Sequence, residues 1–137
     1  MNSFYTICYI SRADEALSHF EINDMLQRSS ECNNENGIKG ILLFNRGNFL
    51  QVLEGAKENL VALYEKIAFD KRHDTVYEIY HGATEYATFL NYNAQFNLLE
   101  KKTDLIALKE YLRRNCYSGT DSELVRKLEP FLSVEHF

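Results

Sequence analysis

The sequence predicts an α+β fold of ferredoxin-like type, a β-α-β-β-α-β-β sheet with two helices on one face and a two-helix tail. Three observations lead there. Apolar residues alternate between strand and helix periods in two successive β-α-β units, a tight hairpin joins the units, and the last forty residues switch to helical spacing alone. Each element has its own justification.

Phe4 to Ser11 is aromatic and β-branched enough for a first strand. Ile22, Met25, Leu26, Ser29 and Asn33 then follow at three-and-four spacing, one helix face that ends before Gly37. Ile38 to Phe44 and Asn48 to Glu54 are apolar runs around Asn45-Arg46-Gly47, a hairpin whose glycine can take positive φ. A second helix from Ala56 to Phe69 carries Leu60, Leu63, Tyr64 and Ile67 on one side, and strands are expected at Thr75 to Tyr80 and Phe89 to Phe96. In the tail, Leu105, Leu108 and Leu112 have helical spacing from Thr103 to Cys116. Thr120-Asp121-Ser122-Glu123 forms a capping-box pattern opening a last helix before Pro130. The expected division is residues 1–98 as the sheet domain and 99–137 as a helical extension packed on it.

Composition narrows the function classes. The chain has 137 residues with 15 Lys+Arg against 20 Asp+Glu, a net charge of −5, which argues against sequence-independent nucleic-acid binding. No run approaches a membrane span, and Met1-Asn2-Ser3-Phe4-Tyr5 lacks the basic region and apolar stretch of a signal peptide, so none is expected. Cys8, Cys32 and Cys116 are odd in number and lack CxxC spacing, so a reducing, cytoplasmic setting is expected. His19, His73, His81 and His136 show no metal-ligand pattern. Glu31, Glu35, Glu54 and Glu58 offer no pair set up for acid-base work, and Lys101-Lys102 and Arg113-Arg114 read as solvated faces. Neither a metal nor an enzymatic reaction is expected.

Polar residues stand where a core is expected. Asn33 ends the buried stripe of the first helix. Gln51 shares a pleat face with Phe49 and Leu53, and Tyr9 shares one with Ile7 and Ser11. A buried polar group without a partner costs about 1–3 kcal/mol, so the three need one another, water or a ligand. A planar ligand with several donors and acceptors would satisfy them together. Taken singly, each has a plainer explanation: Asn33 as a helix cap, Gln51 facing solvent, and Tyr9 with its hydroxyl at the rim.

Tyr9-Ile10-Ser11-Arg12-Ala13, Asn33 seven residues before Gly40, and Gly47-Asn48-Phe49-Leu50-Gln51-Val52-Leu53-Glu54-Gly55 together resemble the BLUF family, blue-light sensors using flavin. The resemblance continues through Asp70-Lys71-Arg72-His73 to Phe89-Leu90-Asn91-Tyr92 and covers residues 3 to 98. It implies a flavin, FAD with FMN or riboflavin as alternatives, held between the two helices. By position it implies Tyr9 as the photochemical electron donor, Gln51 as the switching amide and Asn33 as a partner of the ring carbonyl edge. Ser29 and Arg72 match further flavin contacts, and His73 stands beside them as a cofactor neighbour or a loop residue.

The chain departs from the family pattern at three places. Tyr92 and Ala94 stand where tryptophan and methionine are common in the fifth strand, which bears on signal output. Tyr92 is read as a strand aromatic or a second electron donor. Cys32 stands beside the flavin where a polar residue is usual, as a lost partner or a small buried filler. With no cyclase or phosphodiesterase segment in the chain, output is expected to pass to a downstream regulatory protein through the tail or the exposed sheet face. A homo-oligomer is expected by analogy. The competing expectation is a light-insensitive interaction module that holds flavin weakly.

Overall fold

A computed structural model describes residues 4–71, 73–84, 88–92, 95–114, 124 and 126–132. The element order is β1 (Phe4–Ala13), α1 (His19–Glu35), β2 (Lys39–Asn45), β3 (Asn48–Gly55), α2 (Lys57–Ala68), β4 (His73–Thr84), α3 (Thr88–Tyr92), β5 (Phe96–Leu98), α4 (Lys102–Arg114) and a 3₁₀ turn at Glu129–Phe131. The five strands form one sheet in the order β4-β1-β3-β2-β5, antiparallel except for the β2-β5 pair. This is the ferredoxin-like arrangement with one strand added beside β2.

Local chemistry accounts for the boundaries. Ser18 caps α1: its hydroxyl accepts the Glu21 N–H at 3.1 Å, and the Glu21 carboxylate accepts the Ser18 N–H in return. The hairpin turn is the two residues Arg46 and Gly47, both at positive φ (51° and 82°), a twist that matches right-handed strands. Gly40 lies at φ 136°, and a Cβ there would fall 1.8 Å from the Val52 carbonyl oxygen, so β2 and β3 approach closely only because this residue has no side chain.

The sheet separates two cores. On one face Ile7, Tyr9, Ile38, Leu42, Leu53, Leu60 and Phe96 pack beneath α1 and α2, with Ala13, Met25 and Phe49 at one end. On the other face Cys8, Ile41, Leu43, Leu50 and Val52 pack against Leu105, Leu108 and Leu112 of α4 and against Leu124, Leu128 and Leu132.

Three expectations are corrected. The strand expected at Phe89 to Phe96 does not start at Phe89: Thr88–Tyr92 is a short helix, and among the described residues after it Phe96–Leu98 pairs with β2. The reason is tertiary. The buried Glu54 carboxylate accepts the Phe89 N–H at 3.0 Å, and the Tyr111 hydroxyl donates to the Thr88 carbonyl at 2.6 Å, so α3 is held away from the ladder. Tyr92 accordingly lies in α3, its ring 4.7 Å from Tyr111, in the core on the far side of the sheet from Tyr9. Nor is the second sheet face exposed, since α4 and the following leucines cover it. The fourth strand is also longer than expected, running to Thr84. The capping-box pattern at 120–123, Ala94 and Cys116 lie outside the described residues.

Candidate functional site

β1 and β3 pair with Tyr9 directly opposite Gln51, so both side chains rise from neighbouring points on the face beneath the helices. The Gln51 amide Nε2 donates to the Tyr9 hydroxyl oxygen. Its carbonyl Oε1 accepts from Asn33 Nδ2 at 3.1 Å. A linear relay Asn33, Gln51, Tyr9 thus joins α1, β3 and β1, and all three are buried, with 3%, 4% and 2% exposure. Burial pushes the Tyr9 phenol well above its ordinary value; the Gln51 bond offsets part of this, and nearby Tyr64, Cys8 and Asp70 add to it. Tyr9 is therefore a neutral phenol throughout the physiological range.

The relay forms the polar wall of a cavity of about 190 Å³. One side comes from α1, with Met25, Leu26, Arg28, Ser29, Cys32 and Asn33. The other comes from α2 and its end, with Leu63, Ile67 and Asp70. Leu42 and Phe49 complete the sheet wall. Met25 and Leu26 on one side and Leu63 and Ile67 on the other, with the hydrogen-bonding edge beside them, make a slot for a flat, partly polar ring. The end of α1 is fixed to the sheet: the Ile38 N–H donates to the Asn33 carbonyl at 2.9 Å, and the Phe96 N–H donates to Asn34 Oδ1 at 2.7 Å.

The structure brings together Tyr9, Gln51 and Asn33 and places Ser29 and Cys32 on the same cavity wall. The plainer explanations fail for the three relay residues, because each is buried in a bond to another. Cys32 is exposed at the cavity, which corrects the buried-filler alternative. His73 opens β4, its backbone paired with Ala13, and its side chain lies outside the described residues, as does Arg72. Tyr92 is not brought to the cavity.

Sequence reasoning missed Arg28 and Asp70 as wall residues, and it counted Met25, Leu26, Leu63 and Ile67 only as core. Their spacing showed a buried face and gave no sign that a cavity interrupts it. Arg28 carries an i, i+4 pair to Asp24 at 2.9 Å, the ordinary mark of a surface residue.

The slot, with its buried amide-phenol edge, fits an isoalloxazine, whose ring is planar, apolar on its faces and polar along one edge. Comparison with known proteins points the same way. The family profile for BLUF, described as sensors of blue-light using FAD, matches residues 4–95. Photoactivated adenylate cyclase subunit beta of Euglena longa is 30% identical over 102 residues, 74% of this chain and 12% of that protein. The solved structure titled Klebsiella pneumoniae BlrP1 with FMN and cyclic diGMP superposes with a TM-score of 0.71 at 30% identity, covering 94% of this chain and 34% of that one. A structure titled BlrP1 BLUF superposes with a TM-score of 0.68 at 29% identity, covering 96% of this chain and 89% of its own.

Proposed function

The chain belongs to the BLUF family, sensors of blue light that use FAD, and from that premise we propose that it is a photoreceptor switched by Tyr9 and Gln51 and read out through protein contacts. The observation that carries this reading is the buried Asn33-Gln51-Tyr9 relay along one wall of the slot between α1 and α2.

A flavin bound there supplies the absorption of blue light and, once excited, a strong one-electron oxidant. The residues supply the rest. Asn33, Ser29 and Gln51 offer the hydrogen-bonding edge, Arg72 and His73 stand in the segment that follows α2, and the aliphatic flanks exclude water from the ring faces. Tyr9, neutral and buried, would give that oxidant an electron and then the proton on its Oη. Gln51 now has its donor end on Tyr9 and its acceptor end on Asn33, and half a turn of its amide exchanges the two. That rotation alone would set two NH₂ groups face to face, so Asn33 turns with it. Conversion of Gln51 to its imidic tautomer is the other route, and it leaves Asn33 where it stands. Either way a small chemical event reorders the bonds joining α1, β1 and β3.

A cavity of about 190 Å³ lies below the roughly 300–1,000 Å³ of pockets that enclose a whole drug-sized ligand. FAD, FMN and riboflavin share the ring that this wall would hold, so the wall does not choose among them. A downstream regulatory protein or a second copy of the chain would receive the signal. The tail is the candidate contact, since it packs against strands that also carry Tyr9 and Gln51 on their other face.

The test is an absorption spectrum of the flavin-loaded protein in darkness, after blue light and through recovery. A small reversible red shift is expected, retained flavin without that cycle is expected for Tyr9→Phe, and a Tyr9→Phe protein that cycles like its parent would refute the donor assignment. Failure to load flavin in excess would leave the interaction-module reading.

A further inference from the structure

Beyond the relay, Tyr9 has an aromatic neighbour that the switching reaction does not use. Its ring centroid is 5.7 Å from that of Tyr64 on α2. Tyr64 lies 5.7 Å from His81 on β4, and His81 lies 5.4 Å from Tyr5. These contacts lead from a buried phenol to the half-exposed edge of the sheet.

A β-bulge creates the outer half of this row. Tyr9 pairs with Glu78 and Cys8 with Tyr80, so Ile79 is the extra residue between them. Ile79 and Tyr80 both pack towards α4, which frees Glu78 and His81 to stand together on the α2 face. Strict alternation would have sent His81 to the other side. Glu78 bonds His81 Nδ1 at 2.7 Å. Glu78 thus stands beside the Tyr64 phenol through His81, whose ring is 5.7 Å from that of Tyr64, and burial first, then the nearby Glu78 carboxylate, push the phenol up.

We propose that Tyr64 is a second redox-active tyrosine: it refills the electron hole left on Tyr9 while its phenolic proton passes to Glu78. The inference rests on the reading of Tyr9 as the light-driven donor to a bound flavin. The step comes after Tyr9 has given up its electron and before its Oη proton leaves: one electron moves from Tyr64 to that one-electron-deficient Tyr9 phenol, the Tyr64 O–H bond breaks, and an O–H bond forms on the Glu78 carboxylate. The products are an intact Tyr9 phenol, a neutral Tyr64 radical and a protonated Glu78, so electrons, protons and charge balance. Tyr5 does not continue the path, because the Lys57 ammonium 5.5 Å above its ring disfavours positive charge there. The hole therefore rests on Tyr64, within reach of an external reductant. When a reductant donates to the Tyr64 radical, Glu78 returns the proton and each cycle leaves one electron in the pocket.

The test uses the flavin-loaded full chain under continuous blue light without oxygen, with ascorbate as external reductant, and follows bleaching of the flavin absorption. Tyr64→Phe, which keeps the ring, should slow bleaching on the order of tenfold, a ratio equal to about 1.4 kcal/mol of barrier. Glu78→Gln should slow it likewise, while quenching of flavin fluorescence by Tyr9 stays at the parent level in both. An alkaline absorbance titration of the flavin-free protein supplies a readout independent of light. One late-ionising phenol should move to lower pH in Glu78→Gln and vanish in Tyr64→Phe. Unchanged bleaching in Tyr64→Phe overturns the relay, and an unchanged titration in Glu78→Gln overturns Glu78 as proton acceptor. Loss of fluorescence quenching only in Tyr9→Phe upholds the donor reading, whereas parent-level quenching in that variant refutes the donor and the relay together.

Discussion

Replacing Leu108 by alanine tests whether α4 belongs to the folding unit that carries the site. Leu108 is fully buried, packed between α4 and the face of β2 and β3 opposite the cavity. The substitution removes three carbon groups, about 2.4 kcal/mol at roughly 0.8 kcal/mol each. The space left behind adds to this, since measured Leu→Ala costs span about 2–5 kcal/mol. We expect a loss of about 3–4 kcal/mol. At a urea dependence of about 2 kcal/mol per molar, the midpoint falls by about 1.5–2 M. Ile106, 48% exposed on the same helix, is the control, and its alanine variant should stay within about 0.5 kcal/mol of the parent. The assay is urea unfolding followed by far-ultraviolet circular dichroism and by tyrosine absorbance. Coincident curves that shift together are expected, because helix and sheet share one core. A Leu108→Ala shift below about 1 kcal/mol, or helix loss at low urea with the tyrosine transition unmoved, would refute the reasoning and make the tail a separate layer.

Gly40→Ala should cost more than about 4 kcal/mol or abolish soluble expression, because its Cβ meets the Val52 carbonyl oxygen at 1.8 Å on a backbone at φ 136°; a thermal melt close to the parent's would contradict it. Iodoacetamide should modify Cys32, exposed at the cavity, and spare Cys8, whose thiol is buried and held protonated well above its ordinary range. Peptide mass mapping reads this, and added flavin should slow the Cys32 reaction if the ring occupies the slot. The folded Tyr9 phenol is raised above the unfolded value near 10, so its contribution is fully present below about pH 10 and is lost as pH rises through that value towards the folded one. Urea midpoints between about pH 9 and 11.5 should therefore fall less steeply in Tyr9→Phe than in the parent, and parallel slopes would contradict the burial argument.

The first four strands, the hairpin at Asn45-Arg46-Gly47 and the stripes of α1, α2 and α4 were legible because each rests on neighbours within a few residues. So was the anomaly of Asn33, Gln51 and Tyr9, since pleat and helix periods alone assign each to an inward face. What joins them was not local. Tyr9 meets Gln51 because β1 and β3 pair in that register, and a slip of one residue would have turned one of them to the other face. The bulge at Ile79 that sets Glu78 beside His81 is an irregularity no alternation pattern announces. Phe89 to Phe96 has strand composition, yet the Glu54 carboxylate and the Tyr111 hydroxyl, 35 residues before Phe89 and 23 after Thr88, hold the segment's start as a helical turn. Periodicity reports which way a side chain points from its own backbone. Which side chain waits opposite depends on contacts between distant segments, and those exist only once the chain has closed on itself.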